Sequence, residues 1–282
     1  IRTKQYKGYK DINSNPPQAD FYITGSDQVF SVRSSKKQIR MLNFGDKNVP
    51  RFSYAASLGE YDWSDSEKKL FRQYIRNFNC VSVREKDAKE YLEPIIERDC
   101  FVHLDPVFLL DSDEWSAIES TLNFREPYIL CYPLISNVKM QDTIDLLKEK
   151  TGLKVICVQT LPLKRIKADK YIFDAGPIEF LGLIKNAEYV VTTSFHGTAL
   201  AIVFHKKFYT LVKNYRPQRI TNLLSLLQLN NRLVDDECKI TTDEIDFSYC
   251  DKIIQTEKKS SIAYFDNIVS IVKNNKESLY DD

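Results

Sequence analysis

The stretch Tyr189–Leu200 reads YVVTTSFHGTAL and predicts a short strand, a tight turn and the start of a helix. In open α/β sheets, ligands bind at the carboxyl ends of strands, where this turn lies. His196 lies in the turn, and the first amides of the following helix favour an anion. Gly197 would let a ligand approach the backbone closely. A lone histidine at a strand end can equally be a hydrogen-bonded structural residue, so this segment leaves both interpretations open.

The composition bounds the protein class. A chain of 282 residues fits two α/β lobes better than one core. Its 43% hydrophobic and 28% charged residues are typical of a globular protein, and a net charge of +1 provides no overall field that attracts nucleic acid or membranes. No apolar run is long enough to span a bilayer. We therefore expect no nucleic-acid partner and no integral membrane segment.

The numbers and spacing of cysteine and histidine limit the kinds of metal site and disulfide that the chain can form. The six cysteines form no CxxC pair, and the chain has only three histidines. This pattern favours a reducing cytosol and argues against a disulfide framework or a zinc site. We expect no metal and no cofactor. The expected location is the cytoplasm, including the inner face of the cytoplasmic membrane.

Four strand-like runs in the first half end in small or charged residues, at Thr24, Ser57, Val83 and Leu104. Such repetition is typical of a parallel sheet with functional residues along one edge. The second half alternates strands and helices, which predicts a Rossmann-like lobe. Its predicted strands are Tyr128–Tyr132, Lys154–Gln159, Tyr189–Thr193 and Phe208–Val212.

These patterns predict two Rossmann-like lobes. The first covers residues 1–118, the second covers 119–256, and residues 257–282 form a C-terminal helix that returns towards the first lobe. The chain opens on a polar stretch rich in lysine and tyrosine, where a doubly wound lobe normally opens with a strand. We therefore expect the first lobe to lack its opening strand and helix.

Charged residues at the strand ends of the first half are candidates for chemistry. Asp27 is a candidate general base or a group that orients a substrate hydroxyl, with helix capping as the alternative. Arg84 suits a phosphate or carboxylate, because its planar guanidinium binds such groups bidentately. The alternative for Arg84 is a surface ion pair with Glu85 of little energetic value. We expect His103 to support the structure.

Five segments occur in order over roughly Phe21 to Leu227, and GSDQV and SFHGT are the specific parts among them. They are FYITGSDQVF, RFSYAAS, VSVRE, LDPVFLL and YVVTTSFHGTALAIVF. Together they resemble the polysaccharide pyruvyl transferase family. The resemblance implies two GT-B-like lobes. It also implies transfer of the enolpyruvyl skeleton of phosphoenolpyruvate onto two sugar hydroxyls as a cyclic ketal, in bacterial surface polysaccharide biosynthesis.

The chain departs from the family pattern in two places. The family's first strand and its glycine-containing loop, expected upstream of GSDQV, are absent from this sequence. Some members carry a basic residue two positions before the histidine, where this chain has Ser194. The second departure leaves binding of the donor phosphate to other arginines.

The chemistry implied by the resemblance assigns roles to individual residues. Phosphoenolpyruvate carries a carboxylate and a phosphate, so its site needs positive charge and backbone amides. The expected donor-binding residues are Arg84, Ser194, Gly197, Thr198, Arg216 and Arg219. We hypothesise that His196 is the acid/base, because histidine titrates near neutral pH, and that Asp27 orients or deprotonates an acceptor hydroxyl. Gln28 and Ser57 are expected to contact the acceptor, a sugar or lipid-linked oligosaccharide.

Two alternatives stay open. A GT-B glycosyltransferase would use a nucleotide sugar and would want an acidic residue near the last strand of the second lobe. The sequence Arg-Pro-Gln-Arg at 216–219 favours a small anion there instead. An inactive, truncated remnant that binds an anionic sugar is the other alternative.

Overall fold

The protein consists of two compact units, each of which we describe separately. A computed structural model describes residues 5–59, 61–118, 124, 126–135, 137–159, 166–212 and 218–278. Unit 1 comprises Ile1–Pro106 and Gln255–Asp282, and unit 2 comprises Val107–Ile254. All strand pairs in the described residues are parallel, so the predicted α/β class is confirmed.

Unit 1 is built on two short pairs of parallel strands. Its elements in chain order are α1 (Tyr9–Ser14), β1 (Tyr22–Thr24), α2 (Lys37–Arg40), β2 (Arg51–Ser53), α3 (Asp65–Ile75), β3 (Ser82–Val83), α4 (Lys86–Ile96) and β4 (Phe101–Val102). Strand β1 pairs with β2, and β3 pairs with β4. Isolated parallel bridges between Phe52 and Cys80 and between Ala56 and Val83 link the two pairs. Since the strands are parallel, the loops after their carboxyl ends meet along one edge.

Helix α3 shows how local sequence fixes an element of unit 1. Ser64 is its N-cap, and the Ser64 hydroxyl accepts a hydrogen bond from the Glu67 amide while the Glu67 carboxylate accepts one from the Ser64 amide. This reciprocal arrangement satisfies two amides that the first helical turn leaves unpaired. Phe71, Tyr74 and Ile75 are buried on one face of the helix and contribute to the unit 1 core.

Unit 2 is built on a five-stranded parallel sheet. Its elements are α5 (Ser112–Ser116), β5 (Tyr128–Tyr132), α6 (Lys139–Thr151), β6 (Lys154–Val158), β7 (Lys170–Ile172), α7 (Pro177–Lys185), β8 (Tyr189–Thr192), α8 (Phe195–Val203), β9 (Lys207–Thr210) and α9 (Gln218–Leu226). Two 3₁₀ helices cover Pro106–Leu109 and Asn230–Arg232. The strand order is β7-β6-β5-β8-β9. Strand β7 lies at one edge of the sheet and was not among the predicted strands.

The unit boundary lies earlier than the expected one at residue 118. Trp115 of α5 donates from Nε1 to the Val107 carbonyl over 2.9 Å, and α5 contacts α7. These contacts place the segment after Pro106 in unit 2. The C-terminal helix α10 covers Ser248–Ser278, which is longer than the expected helical tail.

From Gln255 onward, α10 belongs to unit 1 and buries one stripe there. The buried side chains Ser261, Tyr264, Ile268 and Val272 recur at helical spacing. The Tyr264 hydroxyl donates to the Ser53 carbonyl, at the end of β2, over 2.7 Å. The helix thus completes the covering of the unit 1 sheet.

His103 has a structural place in unit 1. Its side chain is buried, its ring stacks on Tyr54 with a centroid distance of 5.6 Å, and Nδ1 lies 2.7 Å from the Ser82 hydroxyl. Burial lowers the pKa of His103 to about 4. The imidazole is therefore neutral near pH 7, held by packing and one hydrogen bond.

The cysteines are free thiols throughout the chain. Cys131 and Cys157 lie opposite each other in the register of β5 and β6, and both are fully buried. Burial raises the pKa of Cys131 well above its ordinary value. Cys131 therefore behaves as a small apolar side chain of the unit 2 core, whereas Cys157 accepts a hydrogen bond from Gln159 Nε2.

Candidate functional site

The loops after β1, β3 and β4 bring polar side chains together at one edge of unit 1. We call Ser26, Asp27, Arg84, Glu85 and Asp105 the unit 1 cluster. The Ser26 hydroxyl donates to Asp105 Oδ2 over 2.6 Å, and Arg84 Nη1 lies 2.6 Å from the same oxygen. Ser26 and Arg84, which are 58 positions apart in the chain, thereby share one acceptor. The predicted convergence of strand ends is present at this edge.

Arg84 is held by carboxylates. Its side chain is 3% exposed, Nε donates to Glu85 Oε1 over 3.0 Å, and Nη2 lies 3.7 Å from Asp27 Oδ1. Burial alone would lower the Arg84 pKa, but Glu85 and Asp105 outweigh burial and hold the pKa above its ordinary value. The alternative of an exposed Arg84–Glu85 pair is wrong, because the Glu85 side chain is only 2% exposed.

This arrangement changes the expectation for Arg84 as a donor-binding residue. Among the described residues, three carboxylates approach its guanidinium, at 2.6, 3.0 and 3.7 Å. A phosphate or carboxylate placed beside it would meet like charges, which is unfavourable. The geometry gives Arg84 the role of holding the carboxylates in position.

Asp27 is the exposed member of the unit 1 cluster. Its side chain is 60% exposed and its backbone has a φ of 52°, in the left-handed region. The Asp27 carbonyl accepts hydrogen bonds from the amides of Val29 and Ser57, which fix the turn. No helix follows directly, so the alternative of helix capping is wrong. The fixed backbone presents the carboxylate at the surface of unit 1.

Gly25 makes this turn possible. It has a φ of 146°, and a Cβ there would lie 1.8 Å from the Tyr54 carbonyl oxygen. Only a residue without a side chain fits. The turn that carries Asp27 is therefore packed directly on the loop after β2.

The two expected acceptor residues lie in different surroundings. Gln28 is half-buried, and its side chain packs against Gly59, where a Cβ would meet Gln28 Cδ at 3.0 Å. Ser57 is fully buried, and its hydroxyl has no hydrogen-bond partner among the described residues. Ser57 therefore lies beneath the turn, and its backbone positions Asp27.

His196 is exposed at the second position of α8, directly after the carboxyl end of β8. Its neighbour Phe195 is buried, and the two rings meet edge to face with a centroid distance of 5.4 Å. The buried phenyl ring anchors the start of the helix while the imidazole faces outward. The strand–turn–helix predicted for this segment is confirmed.

Ser194 and Thr198 use their side chains to build the turn. Ser194 caps α8, its hydroxyl accepting from the Gly197 amide over 3.2 Å. Thr198 is fully buried, and its hydroxyl lies 2.9 Å from both the Ser194 carbonyl oxygen and Thr210 Oγ1. These contacts fix the helix terminus, so any donor contact of this segment would come from its backbone and its positive dipole.

Gly197 is required by packing within unit 2. A Cβ at this position would lie 2.6 Å from Thr192 Oγ1, closer than real Cβ contacts. The Thr192 hydroxyl in turn donates to the Tyr132 carbonyl and accepts from the Ser194 amide. The absent side chain therefore lets α8 approach β8, instead of leaving space for a ligand.

The two expected arginines of unit 2 follow β9. Arg219 is half-buried at the second position of α9. Arg216 lies outside the described residues.

Thr193, which precedes the cap of α8, accepts hydrogen bonds at Oγ1 from the amides of Leu134 and Ile135. The loop after β5 is thereby fastened beside the start of α8.

Sequence reasoning missed Ser26, Glu85 and Asp105 as members of the cluster. Asp105 is 1% exposed and directly follows a predicted strand end, before a proline. A charged residue in an otherwise apolar run was the available signal. Its partner could not be identified, because Arg84 lies 21 positions away.

The described residues contain no group of three or more histidine, cysteine or acidic side chains that could hold a metal ion. Within the same residues, no helix combines the length and apolar character needed to cross a membrane.

The sequence matches one known family. The model of the family described as polysaccharide pyruvyl transferase matches residues 1–213 of the chain. No curated protein matches the sequence.

Solved structures with a similar fold share little sequence with the chain. UDP-GlcNAc 2-epimerase from Methanocaldococcus jannaschii is 15% identical, with 79% of this chain and 74% of that chain covered and a TM-score of 0.44. UDP-GlcNAc 2-epimerase from Neisseria meningitidis bound to UDP-GlcNAc is 13% identical, with 85% and 69% covered and a TM-score of 0.47. The glycosyltransferase SnogD from Streptomyces nogalater is 11% identical, with 80% and 67% covered and a TM-score of 0.36.

Proposed function

Because the chain belongs to the polysaccharide pyruvyl transferase family, we propose that it transfers pyruvate from phosphoenolpyruvate onto two hydroxyls of a sugar. In the proposed reaction, one hydroxyl adds to the central carbon of the enolpyruvyl group and the methylene carbon takes up a proton. The carbon–oxygen bond to phosphate breaks, and the second hydroxyl closes a cyclic ketal. One phosphate is released for each ketal formed.

In this proposal, phosphoenolpyruvate, the donor of the pyruvyl group, binds to unit 2. Phosphoenolpyruvate carries a phosphate and a carboxylate, and the N-terminus of α8 offers a positive dipole. The observation that supports this most is the exposed His196 on a terminus fixed by Ser194 and Thr198. We assign His196 the transfer of a proton to the departing phosphate, and Arg216 and Arg219 the binding of its negative charge.

In the same proposal, the acceptor sugar binds to unit 1. Asp27 presents an exposed carboxylate near the buried carboxylates of Glu85 and Asp105, and these surroundings suit a neutral hydroxyl better than an anion. We assign Asp27 the orientation or deprotonation of an acceptor hydroxyl, with Gln28 beside it. Arg84 and Ser57 position Asp27 through the guanidinium contact and the backbone hydrogen bond, respectively.

The acceptor class follows from the family. We propose a sugar or a lipid-linked oligosaccharide of a bacterial surface polysaccharide, met in the cytoplasm or at the inner face of the cytoplasmic membrane. The free thiols throughout the chain fit a reducing compartment.

The test is incubation of the full chain with phosphoenolpyruvate and a panel of pyranoside and lipid-linked acceptors. Phosphate release is followed together with ketal formation by nuclear magnetic resonance. We expect phosphate release to require an acceptor and to match ketal formation one to one. Phosphate release without a ketal, or preferential turnover of a nucleotide sugar, would contradict the proposal.

A further inference from the structure

Three arginines are buried in the described residues, and two of them are surrounded by several acceptor oxygens of neighbouring residues. Arg51 donates to carbonyl oxygens from all three of its nitrogens, including those of Leu42, Val49 and Phe44. Arg84 is held by the carboxylates of the unit 1 cluster. Arg232, in unit 2, has neither kind of surrounding.

Arg232 is 7% exposed, and its guanidinium makes one hydrogen bond to the described residues. Nη1 lies 3.3 Å from the Tyr209 hydroxyl, and the guanidinium carbon lies 5.5 Å from the centroid of that ring. Nε is buried without an acceptor, and no carboxylate oxygen of the described residues lies within 4.0 Å of the guanidinium. A buried cation without a counter-ion is unfavourable, so this site is suited to an incoming anion.

Arg232 lines a cavity of about 430 Å³, within the range of small-molecule sites. The loop that forms the cavity is fixed to β9, because the Val234 amide donates to the Thr210 carbonyl and the Thr241 amide donates to the Tyr209 hydroxyl. Asp235 closes a turn within the loop by accepting from the amides of Glu237 and Cys238. The cavity is therefore a built feature of unit 2. Among the described residues assigned to donor or acceptor, none contributes to it.

Most of the remaining lining is polar, and it includes three carboxylates. Asp235, Glu237 and Asp243 are exposed at the cavity, together with Asn231 and Lys239. Carboxylates and amides bind neutral hydroxyl groups well, whereas several carboxylates repel a ligand with multiple negative charges. The lining thus favours a ligand with one compact anionic group for Arg232 and hydroxyl groups elsewhere.

We propose that this cavity binds a monosaccharide that carries one carboxylate, of the uronic acid class. The carboxylate pairs with the Arg232 guanidinium, and the ring hydroxyls contact the polar lining.

Titration calorimetry on the full chain, without phosphoenolpyruvate, tests this proposal with sodium glucuronate, glucose and inorganic phosphate as probes. We expect glucuronate to bind about tenfold or more tightly than either of the others, because only glucuronate offers both kinds of group. Arg232→Met should weaken glucuronate binding about tenfold or more, while Arg76→Met, at an exposed position of unit 1, leaves it unchanged. Equal affinity for glucose or phosphate, or an unaltered affinity of Arg232→Met, would overturn the proposal.

A second measurement does not depend on an Arg232 variant that folds. Cys238 lines the cavity and is half-buried, and Cys80 is the other thiol that is not fully buried. In a Cys80→Ser background, we expect saturating glucuronate to slow alkylation of Cys238 about tenfold, whereas glucose has no such effect. An unchanged alkylation rate overturns the proposal. Because neither measurement involves turnover, their outcome is separate from that of the pyruvyl transfer test.

Discussion

Arg84 Nη1 lies 2.6 Å from Asp105 Oδ2, and both side chains are almost completely buried in unit 1. Asp105 also accepts from the Ser26 hydroxyl, one residue before Asp27. The pair therefore ties the loops after β1, β3 and β4 into one body. Its function, in our proposal, is to hold an exposed carboxylate in place.

We expect Asp105→Asn to reduce the free energy of unfolding by about 3 kcal/mol, because it removes one counter-ion of a buried guanidinium. Urea unfolding followed by circular dichroism measures this change. Asp62→Asn is the matched control, since Asp62 pairs with the exposed Arg33, and it should have no measurable effect. A loss for Asp105→Asn as small as that of the control would contradict the structural role.

His196→Ala should lower kcat for ketal formation by about 10²–10⁴-fold, the usual contribution of a positioned acid or base. Because His196 is exposed, the Tm should not change. The control is His205→Ala, which removes an exposed imidazole paired with Asp251 in the same unit and should keep its activity. Wild-type turnover of His196→Ala would remove this residue from the mechanism.

Gly197→Ala should destabilise the protein by about 1–3 kcal/mol, because the added methyl group overlaps Thr192 Oγ1 at 2.6 Å. Denaturant unfolding of single and double variants checks this. Adding Thr192→Ala removes Oγ1, the atom at 2.6 Å, so the double variant should be more stable than the sum of the two single changes indicates. Strict additivity would show that the contact does not limit the position.

The lowered pKa of His103 predicts that the free energy of unfolding depends on pH. Burial lowers this pKa from 6.5 to about 4. Between these pH values the imidazole binds a proton in the unfolded chain but not in the folded protein. The stability present above pH 6.5 is therefore lost as the pH falls towards about 4. Urea unfolding at pH 7 and pH 5 should show a smaller difference for His103→Gln than for the wild type. An equal difference for both proteins would assign the pH dependence to other groups.

The sequence predicted the elements that carry a strong local signal. The four strands expected in the second half of the chain correspond to β5, β6, β8 and β9. The apolar run before His196 gave β8 and the start of α8. Strand β7 was missed because Lys170–Ile172 is short, lies at the edge of the sheet and is not buried.

The chemistry of the cluster could not be predicted in the same way. The sequence predicts an Arg84 that is open to a ligand at a strand end, but its partner Asp105 comes from another strand end. Only the register of β3 and β4 brings the two residues together. Glycine is likewise required at position 197 because the Thr192 side chain of the preceding strand leaves no space for a Cβ. Local patterns give the type of element, whereas pairing between elements requires the fold.

The placement of Tyr264 under the end of β2 has a consequence for how the protein is made. Unit 1 draws on residues on both sides of unit 2, so a ribosome must translate all of unit 2 before α10 can complete the first unit. At about 5–20 residues per second, this delay is roughly ten to thirty seconds. During that interval Ser53 and its neighbours in the nascent chain are not covered by α10. Unit 2 is one continuous segment and can fold first.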